Sequence, residues 1–304
     1  MKSKKKILIV GGTGFIGYHL AKSCIKKRWG VTSISVNRPH KKRYLKNVKY
    51  LYCDISNKKK LNEKIKLNYH YIVNLGGHVN HKDKIKTYGS HYNGCKNLSD
   101  IFLKKGIQSF VQIGSGGEYG NRKSPHKENF YCKPNSHYSR AKFLATKHLI
   151  KLYKEKKFPA SIIRLYQVYG PQQDLNRFLP IVIENCINNK SFPTSNGNQF
   201  RDFIFISDFV EAIFKVLKSK KSKGQILNIG TGKPIKIKNI IYKILKITKS
   251  GKPLFGKIKI RKDENKITFP NILKAKKILR WKPKISFDVG LKKTINHYLK
   301  RANK

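Results

Sequence analysis

The stretch Ile7-Leu8-Ile9-Val10-Gly11-Gly12-Thr13-Gly14-Phe15-Ile16-Gly17 decides the fold of this chain. Its four apolar residues predict a short buried strand, and the apolar spacing from Phe15 to Lys27 predicts a helix. Between them, the first glycine permits a tight turn, the middle one lets backbone amides approach a phosphate, and the last lets the helix pack on the strand. This turn within a βαβ unit predicts a bound dinucleotide, with contacts from Gly11, Gly14, Phe15, Ile16 and Gly17.

Apolar runs alternate with amphipathic stretches through the first 165 residues, including a helix predicted from about Thr87 to Lys105. This rhythm favours a parallel sheet with helices on both faces. After Tyr169-Gly170-Pro171 the elements become shorter, and a basic strand is predicted at Ile258 to Ile260. We therefore predict an α/β protein, with a Rossmann-type doubly wound parallel sheet in residues 1–170 and a smaller C-terminal α/β substrate lobe in residues 171–304. A return of the segment near residues 200–230 to the first domain is left open.

The chain carries 68 Lys and Arg residues against 15 Asp and Glu, a formal net charge of +53. A charge of this size raises nucleic acid or an anionic membrane as a partner. Lysines occur in nearly every segment, however, and no run interleaves basic and aromatic residues in an RNA-binding pattern. We interpret the charge as a lysine-rich solvated surface that attracts phosphorylated substrates, and we expect no nucleic-acid partner.

The five cysteines stand alone in the sequence, without a CxxC pair. An odd number of isolated cysteines argues against a disulfide framework and a zinc site, and it fits a reducing cytoplasm. No segment approaches the roughly 18 to 20 apolar residues of a membrane helix, and no cleavage site follows the basic N-terminus. We therefore expect a cytoplasmic protein with no membrane span and no metal site.

The end of the second predicted strand, Ser33-Ile34-Ser35-Val36-Asn37-Arg38, indicates which dinucleotide is bound. Sites that prefer NAD place a carboxylate here, which accepts a hydrogen bond from the 2′-hydroxyl of the ribose. This stretch offers no carboxylate, whereas Arg38 and the basic residues after it can pair with a 2′-phosphate. The pattern favours NADP and leaves NAD as the alternative.

The segment Tyr138-Ser139-Arg140-Ala141-Lys142 places a tyrosine and a lysine four residues apart on a predicted helix. Positions i and i+4 share a helix face, so the phenol and the ammonium lie side by side. A neighbouring cation lowers the pKa of a tyrosine, and Tyr138 can then move a proton to or from a sugar hydroxyl or ketone. Ser115 follows the strand predicted at Ser109 to Ile113 and can hydrogen-bond the same oxygen. We therefore predict Ser115, Tyr138 and Lys142 as catalytic residues.

Further motifs follow the glycine turn along nearly the whole chain. They are Asp54-Ile55, Asn74-Leu75-Gly76-Gly77, Gly114-Ser115 through Glu118-Tyr119-Gly120, Arg164-Leu165-Tyr166-Gln167-Val168-Tyr169-Gly170-Pro171, Arg201-Asp202-Phe203, Asn228-Ile229-Gly230-Thr231-Gly232 and Trp281-Lys282-Pro283. With the tyrosine–lysine helix, they resemble the extended short-chain dehydrogenase/reductase family, in its NAD-dependent epimerase/dehydratase type that acts on nucleotide sugars. The chain departs from that pattern at Gly76 and Gly77, where alanines are usual, at Gln167 in place of asparagine, and at Arg280 in place of glycine.

The resemblance implies roles for several of these residues. For the cofactor, it implies contacts from Asp54, Ile55, Leu75, Gly76, Tyr138 and Lys142, with the first two at the adenine. For the substrate, a nucleoside-diphosphate sugar, it implies binding by Ser115 and Asn176 and a grip on the diphosphate by Arg201 and Arg261. A guanidinium suits that task because it donates paired hydrogen bonds to phosphate. Family members often dimerise, and we expect a homodimer.

The segment after Ser115 bears on the reaction. By the same resemblance, sugar-nucleotide dehydratases carry an acid and a base directly after this position, where the present chain has Gly116 and Gly117. Glu118 comes one position too late, so a dehydratase is disfavoured. A 4-keto reductase that uses NADPH and a UDP-sugar 4-epimerase that holds NAD tightly need the same triad, and the missing ribose carboxylate favours the reductase. A non-catalytic dinucleotide-sensing or RNA-binding protein on this scaffold is the alternative of another class.

Overall fold

The structure is a computed structural model that describes residues 4–78, 82–260 and 265–302. Within these ranges the strands are β1 (Lys6–Val10), β2 (Gly30–Ser35), β3 (Val48–Tyr52), β4 (Tyr71–Asn74), β5 (Ser109–Ser115), β6 (Ala160–Leu165), β7 (Gln167–Tyr169), β8 (Ser191–Pro193), β9 (Phe200–Phe205), β10 (Ile226–Ile229), β11 (Pro234–Lys236), β12 (Lys252–Leu254) and β13 (Ile267–Thr268). The α-helices are α1 (Phe15–Lys26), α2 (Lys58–Lys64), α3 (Lys84–Tyr88), α4 (Gly94–Leu103), α5 (His137–Lys156), α6 (Phe178–Ile187), α7 (Ile206–Lys218), α8 (Ile237–Thr248), α9 (Leu273–Leu279) and α10 (Phe287–Ala302).

Seven of these strands form one parallel sheet in the order β10-β6-β5-β4-β1-β2-β3. Chain order runs one way from β1 to β3 and the other way from β4 to β10, so the direction of winding reverses between β1 and β4. In open α/β sheets, ligands bind at such a switch point, outside the carboxyl ends of the strands. The predicted Rossmann-type doubly wound sheet is confirmed. Residues 226–229 belong to it through the pairing of β10 with β6, and the division of the chain at residue 170 stays a prediction.

The apolar run at the start of the chain is buried from both sides. Side chains alternate between the two faces of a strand, and on β1 Ile7 and Ile9 enter one core cluster while Leu8 and Val10 enter another. The first cluster includes residues of α1 and α7, and the second includes residues of α4 and α5. A strand covered by helices on both faces has no polar side, which explains why its sequence is a continuous apolar run.

The second lobe is organised around β9. This strand pairs with β7 along residues 203–205 and with β11 along residues 200–202, and β13 pairs with its first two residues. Asp202 of β9 is fully buried and accepts hydrogen bonds from the backbone N–H groups of Thr231 and Gly232 at 2.8 and 2.6 Å. One carboxylate thus ties the loop after β10 to β9, and it anchors the strand segment that carries Arg201.

The strand predicted at Ile258 to Ile260 is wrong. Residues 258–260 are irregular, and the side chains of Ile258 and Ile260 are 51% and 41% exposed. The alternation of isoleucine and lysine there imitates a half-buried strand. The lobe instead uses β12, which pairs with β8.

Gly17→Ala tests the contact between α1 and the turn after β1. A Cβ on Gly17 would overlap the carbonyl oxygen of Gly11 and lie 2.5 Å from the Cα of Gly12. Because these neighbours are backbone atoms, we expect the variant to lose about 1–3 kcal/mol of unfolding free energy in urea titrations. Gly14→Ala is the control, since its Cβ would meet only the Gly11 oxygen at 3.4 Å. Equal losses in the two variants would contradict this account.

Candidate functional site

A cavity of about 980 Å³ opens at the carboxyl ends of the central strands. Its walls come from the segments after β1, β4, β5 and β6, from the start of α5 and from the second lobe. The lining residues are Ile16, Leu75, Gly77, His78, Lys82, His91, Ile113, Gly114, Ser115, Gly116, Gly117, Gly120, Asn135, Ser136, His137, Tyr138, Ser139, Arg140, Lys142, Leu165, Tyr166, Gln167, Arg177, Arg201, Asn265 and Thr268. None of these described residues is acidic and five carry a formal positive charge, so the cavity attracts anions.

The three predicted catalytic side chains meet in this cavity. Ser115 ends β5, and Tyr138 and Lys142 lie in the first turns of α5. The Tyr138 side chain is hydrogen-bonded to that of Ser115, and the Lys142 ammonium lies 5.9 Å from the centre of the Tyr138 ring. Lys142 also donates to the carbonyl oxygen of Ile113 at 2.7 Å, which holds the ammonium near the end of β5. The arrangement suits acid–base chemistry at an oxygen held by Ser115 and Tyr138.

The start of α5 holds Tyr138 in place. The Ser136 hydroxyl accepts the N–H of Ser139 at 3.2 Å, and the Ser139 hydroxyl accepts the N–H of Ser136 at 3.1 Å. This reciprocal cap satisfies N–H groups that have no acceptor within the helix. Because Tyr138 lies inside the capped turn, a local sequence pattern fixes its backbone position.

Burial changes the proton affinity of both α5 residues. It raises the pKa of Tyr138 above its ordinary value of 10, an effect that Glu118 reinforces and that the bond to Ser115 opposes. It lowers the pKa of Lys142 to about 8, because the ammonium loses hydration, and Glu118 opposes that change. The predicted lowering of the Tyr138 pKa is therefore wrong for the protein alone, since burial outweighs the bond to Ser115 and the charge of Arg177. At neutral pH Tyr138 is a protonated phenol.

The glycine turn after β1 brings its backbone into close contact with neighbouring segments. Gly11 has a φ of +75°, a conformation that favours glycine, and its N–H donates to a carbonyl oxygen of β2 at 2.8 Å. A Cβ on Gly12 would overlap Ser33 Oγ. Gly14 flanks the start of α1, and Ile16 in its first turn lines the cavity. The first N–H groups of α1 need acceptors from outside the helix, so the turn fits the diphosphate of a dinucleotide.

The remaining predicted cofactor residues differ in their surroundings. Leu75 lines the cavity, whereas the side chains of Phe15 and Ile55 are buried in the core. A cofactor contact from the latter two would therefore use backbone atoms. A Cβ on Gly76 would lie 2.8 Å from Val10 Cγ1, which explains a glycine where alanine is usual. Asp54 is exposed and accepts the N–H of Ser56 at 2.8 Å.

The end of β2 presents exposed cations near the predicted ribose position, and Arg38 is the first of them along the chain. Ser35 accepts the N–H of Thr13 at 3.4 Å and so belongs to the glycine turn. Arg38 is exposed, and its guanidinium lies 5.8 Å from the centre of the Tyr52 ring. Arg43, which the sequence offers as a further partner for a 2′-phosphate, pairs with Asp174 at 2.7 Å. Arg38 therefore remains the first candidate for a 2′-phosphate, with the exposed Lys41 and Lys42 beside it.

The predicted substrate residues do not all reach the cavity. Arg201 lines it, and its Nη1 donates to the carbonyl oxygen of Phe200 at 2.8 Å. Asn176 is exposed outside the cavity, because it belongs to the turn before α6, and the next residue, Arg177, lines the cavity instead. Arg261 lies outside the described residues. Arg177 is therefore a candidate that the motifs miss.

His91 is a second residue that sequence reasoning misses. The helix predicted from about Thr87 to Lys105 is divided by a π-helical turn, Gly89–Asn93, a feature frequent at functional sites. Within it, His91 is 4% exposed, and its ring packs edge-to-face on Tyr138 with centroids 5.0 Å apart. A Cβ on Gly77 would overlap His91 Cε1 and lie 2.5 Å from Nδ1. Glycine in place of the usual alanine therefore makes room for the imidazole beside Tyr138.

The turn after Ser115 brings no acid into the cavity. Gly116 and Gly117 line the wall, whereas Glu118 is fully buried and pairs with Arg164 at 2.9 Å. The positions at which a dehydratase needs an acid and a base thus present backbone only. The low expectation of a dehydratase stays a prediction.

Neither a metal centre nor a membrane span emerges from the described part of the chain. No group of three or more His, Cys, Asp or Glu side chains there could hold a metal ion. All five cysteines are buried and free. In the same residues, no helix combines the length and the apolar composition needed to cross a bilayer.

Fold and site together are those of a Rossmann-type enzyme that uses a nicotinamide dinucleotide. Residues 7–230 match the model of the NAD dependent epimerase/dehydratase family. The chain belongs to this family, which confirms the resemblance read from its motifs. The prediction of an NAD(P)-dependent enzyme of nucleotide sugars is confirmed at this level.

Individual relatives cover the whole chain. The chain is 27% identical to the CDP-abequose synthase of Salmonella muenchen, over 96% of this chain and 97% of that protein. It superimposes on the UDP-glucose 4-epimerase of Thermotoga maritima with a TM-score of 0.92 at 23% identity, covering 98% and 99% of the two chains. The UDP-glucuronic acid 4-epimerase of Bacillus cereus, in complex with UDP-glucuronic acid and NAD, gives a TM-score of 0.86 at 25% identity, with 98% and 99% covered. These likenesses support the fold from end to end and leave the reaction open.

The coupling of Gly77 and His91 can be measured by a double-mutant cycle. Gly77→Ala should cost about 1–3 kcal/mol of unfolding free energy, because the new methyl group overlaps the imidazole. In Gly77→Ala/His91→Ala the overlap is gone, so the double variant should lose less than the sum of the two single losses. Urea unfolding of the four proteins checks this. Additive losses would show that the two residues do not compete for the same space.

Proposed function

We propose that this protein reduces the 4-keto group of a nucleoside-diphosphate sugar with NADPH. The observation that carries the proposal is a protonated Tyr138, hydrogen-bonded to Ser115 and raised in pKa by burial, on the wall of a cationic cavity. A ketone that accepts a hydride needs a proton donor at its oxygen, and a buried neutral phenol supplies one.

Ser115 of β5 and Tyr138 and Lys142 of α5 have different roles in the proposed reaction. Ser115 and Tyr138 hold the C4 carbonyl oxygen through their hydroxyl groups. The nicotinamide, when bound, supplies the hydride for C4. Tyr138 gives its proton to the oxygen, so the ketone becomes a hydroxyl group and the phenol becomes a phenolate. The Lys142 ammonium stabilises that phenolate until solvent returns the proton.

A nucleoside diphosphate fits the charge of the cavity. Arg177 and Arg201 reach it from the second lobe, and we assign the diphosphate to these two side chains, with Arg177 in the place that the motifs give to Asn176. A guanidinium makes paired, charge-assisted hydrogen bonds to phosphate oxygens. Arg201 is held in position because the neighbouring Asp202 is bonded to the loop after β10. Arg261 stays a predicted third partner.

The choice of NADPH rests on the end of β2. In the stretch from Ser33 to Arg38 no carboxylate is available for a 2′-hydroxyl. Arg38 is exposed there and rests against Tyr52, so a 2′-phosphate can reach its guanidinium. The charge of the whole protein acts in the same direction, because it raises the local concentration of the more anionic cofactor.

A UDP-sugar 4-epimerase that holds NAD tightly is the second candidate. The Bacillus cereus epimerase, which is 25% identical and was solved with UDP-glucuronic acid and NAD, supports it. An epimerase would use Tyr138 first as a base and then as an acid, with Ser115 and Lys142 in the same places. The two reactions therefore differ in whether the cofactor is exchanged at each turnover.

A homodimer through α4 and α5 belongs to the same proposal. Leu98 and Leu149 are fully buried in the core of one chain and offer nothing to a partner. Leu144 of α5 is partly exposed and offers a small apolar contact to a second copy. Exposed Lys147 and Lys151 on the same helix place such a contact among charged groups.

Purified protein tests the reductase directly. Acid release should yield far less than one NAD per chain, and NADPH oxidation, followed at 340 nm, should require a 4-keto nucleotide sugar. Stoichiometric bound NAD, with interconversion of C4 epimers and no net oxidation of NADPH, would favour the epimerase. Tyr138→Phe should lower kcat by about 10²–10⁴-fold while NADPH still binds.

Tyr242→Phe is the matched control for Tyr138→Phe. Tyr242 is 49% exposed on α8, away from the cavity lining, so the loss of its hydroxyl should leave kcat unchanged. A Tyr138→Phe protein that retains the parent's kcat would remove Tyr138 from the proposed role. A parent that binds NADPH but turns over neither 4-keto sugars nor C4 epimers would favour a non-catalytic protein.

Arg38→Ala tests the cofactor preference. Loss of a charge-assisted hydrogen bond, worth about 1.5–3 kcal/mol, should weaken NADPH binding by roughly 10–100-fold. NADH is the internal control, because it lacks the 2′-phosphate and should bind the variant as it binds the parent. Titrations of both cofactors by their fluorescence measure the difference. A parallel loss for NADH would show that Arg38 supports the fold of this edge instead.

A further inference from the structure

We propose that Glu118 is a positioning residue, one buried carboxylate that holds Ser115, α5 and Arg164 of β6 together and thereby fixes the acid–base group. The inference rests on the proposed function and deepens it, because it concerns how the same site is held. Because Glu118 comes one position later than the acid and base of a dehydratase, we do not expect it to serve that chemistry. Its contacts give it this other role.

Glu118 uses both of its carboxylate oxygens. Oε1 accepts the backbone N–H of Ser115 at 2.9 Å. Oε2 accepts the Thr146 hydroxyl at 2.9 Å and Arg164 Nε at 3.0 Å, with Arg164 Nη2 at 2.9 Å. Ser115 ends β5, Thr146 lies on the helix of Tyr138, and Arg164 belongs to β6. One side chain thus bonds the three elements that surround the reacting groups.

The Glu118 carboxylate is enclosed so closely that it has no room for another orientation. The side chains of Glu118 and Arg164 are 0% and 1% exposed. A Cβ on Gly114 would overlap Glu118 Oε1, so a glycine at this position keeps the site open. The Arg164 guanidinium also lies 4.4 Å from the centre of the Tyr119 ring, whose hydroxyl donates to Asn228 Oδ1 at 2.8 Å. The network therefore continues from Ser115 across the sheet to β10.

The carboxylate acts on the acid–base group through its charge as well. Its negative charge favours the ammonium form of Lys142 and disfavours a phenolate at Tyr138. Both effects keep the form that proton donation requires, a neutral phenol beside an ammonium. The other titratable groups that face this region include Arg164 of β6, Tyr119 of the same turn and Cys132 of the segment before α5. Cys95 of α4 acts on Lys142, and Arg177 and His91 face Tyr138.

A role in the fold alone makes a different prediction. Removing one partner of a buried ion pair is strongly destabilising, whereas replacing both partners by groups of similar volume is often neutral. If Glu118 and Arg164 served stability only, a double replacement would restore stability and activity together. If Glu118 positions the site, stability returns and activity does not.

The experiment compares Glu118→Gln and Glu118→Gln/Arg164→Met with the parent. The single variant should melt at a lower temperature, because Arg164 loses its counter-ion, and the double variant should melt near the parent. In the double variant, kcat should stay at least about tenfold below the parent with KM nearly unchanged. The alkaline limb of kcat, which reports Lys142 with its pKa of about 8, should move to lower pH, because the charge that favours the ammonium is gone.

Two further variants distinguish the positioning effect of Glu118 from the effect of its charge. Thr146→Val keeps the carboxylate and removes one of its bonds, so it should lower kcat without moving the alkaline limb. Glu128→Gln is the matched control, since Glu128 is a partly buried glutamate near Arg164 that accepts the N–H of Asn228 at 2.8 Å. It should keep the parent's kcat and pH dependence.

NADPH affinity, measured by fluorescence between about pH 6 and 10, gives a readout without a sugar. We expect affinity to fall as Lys142 loses its proton, and to fall at lower pH in the double variant. If the parent turns over no nucleotide sugar, the proposed function fails. The pH shift of NADPH affinity in the double variant is then the test of the role of Glu118. A double variant with the parent's kcat and pH dependence overturns the inference. If the double variant does not fold, a Thr146→Val protein with the parent's kcat overturns it.

Discussion

The missing side chain at Gly17 lets α1 approach the turn after β1 so closely that a Cβ would lie 2.5 Å from the Cα of Gly12. This backbone contact sets where α1 leaves the sheet. Because all seven strands are parallel, the loops that follow them leave at one edge, and the winding reverses beside β1. The start of α1, the end of β5 and the start of α5 therefore converge on one cavity, to which the second lobe adds its arginines.

Within that cavity, burial decides which proton moves first. It raises the pKa of Tyr138 and lowers the pKa of Lys142 to about 8, so the lysine loses its proton before the tyrosine does. Near neutral pH the pair is a neutral phenol beside an ammonium. The alkaline limit of such a site is thus set by the lysine, and a carboxylate such as Glu118, which favours the ammonium, widens the working range.

Local patterns suffice for the parts of the site that lie within one element. The glycine turn and the Tyr138–Lys142 pair depend on the spacing of a single strand, turn or helix, so the sequence alone predicts them. The cavity is lined by Arg177 and not by Asn176, because the direction of the turn before α6 depends on how that helix packs. The packing of His91 on Tyr138 and the Glu118–Arg164 pair join residues about 46 positions apart, and only the sheet brings them together. The spacing of the motifs contains no sign of such contacts.

This basic chain has few carboxylates, and the positions of the buried ones follow from the hydrogen bonds that they accept. Glu118, Asp202 and Asp208 are buried, and each accepts hydrogen bonds from at least two donors of another segment. A carboxylate can do so because it accepts several bonds and brings no donor that needs a partner. None of the described residues that line the cavity is acidic. Glu118 pairs with Arg164 outside the cavity lining, so it can hold Ser115 without facing an anionic substrate.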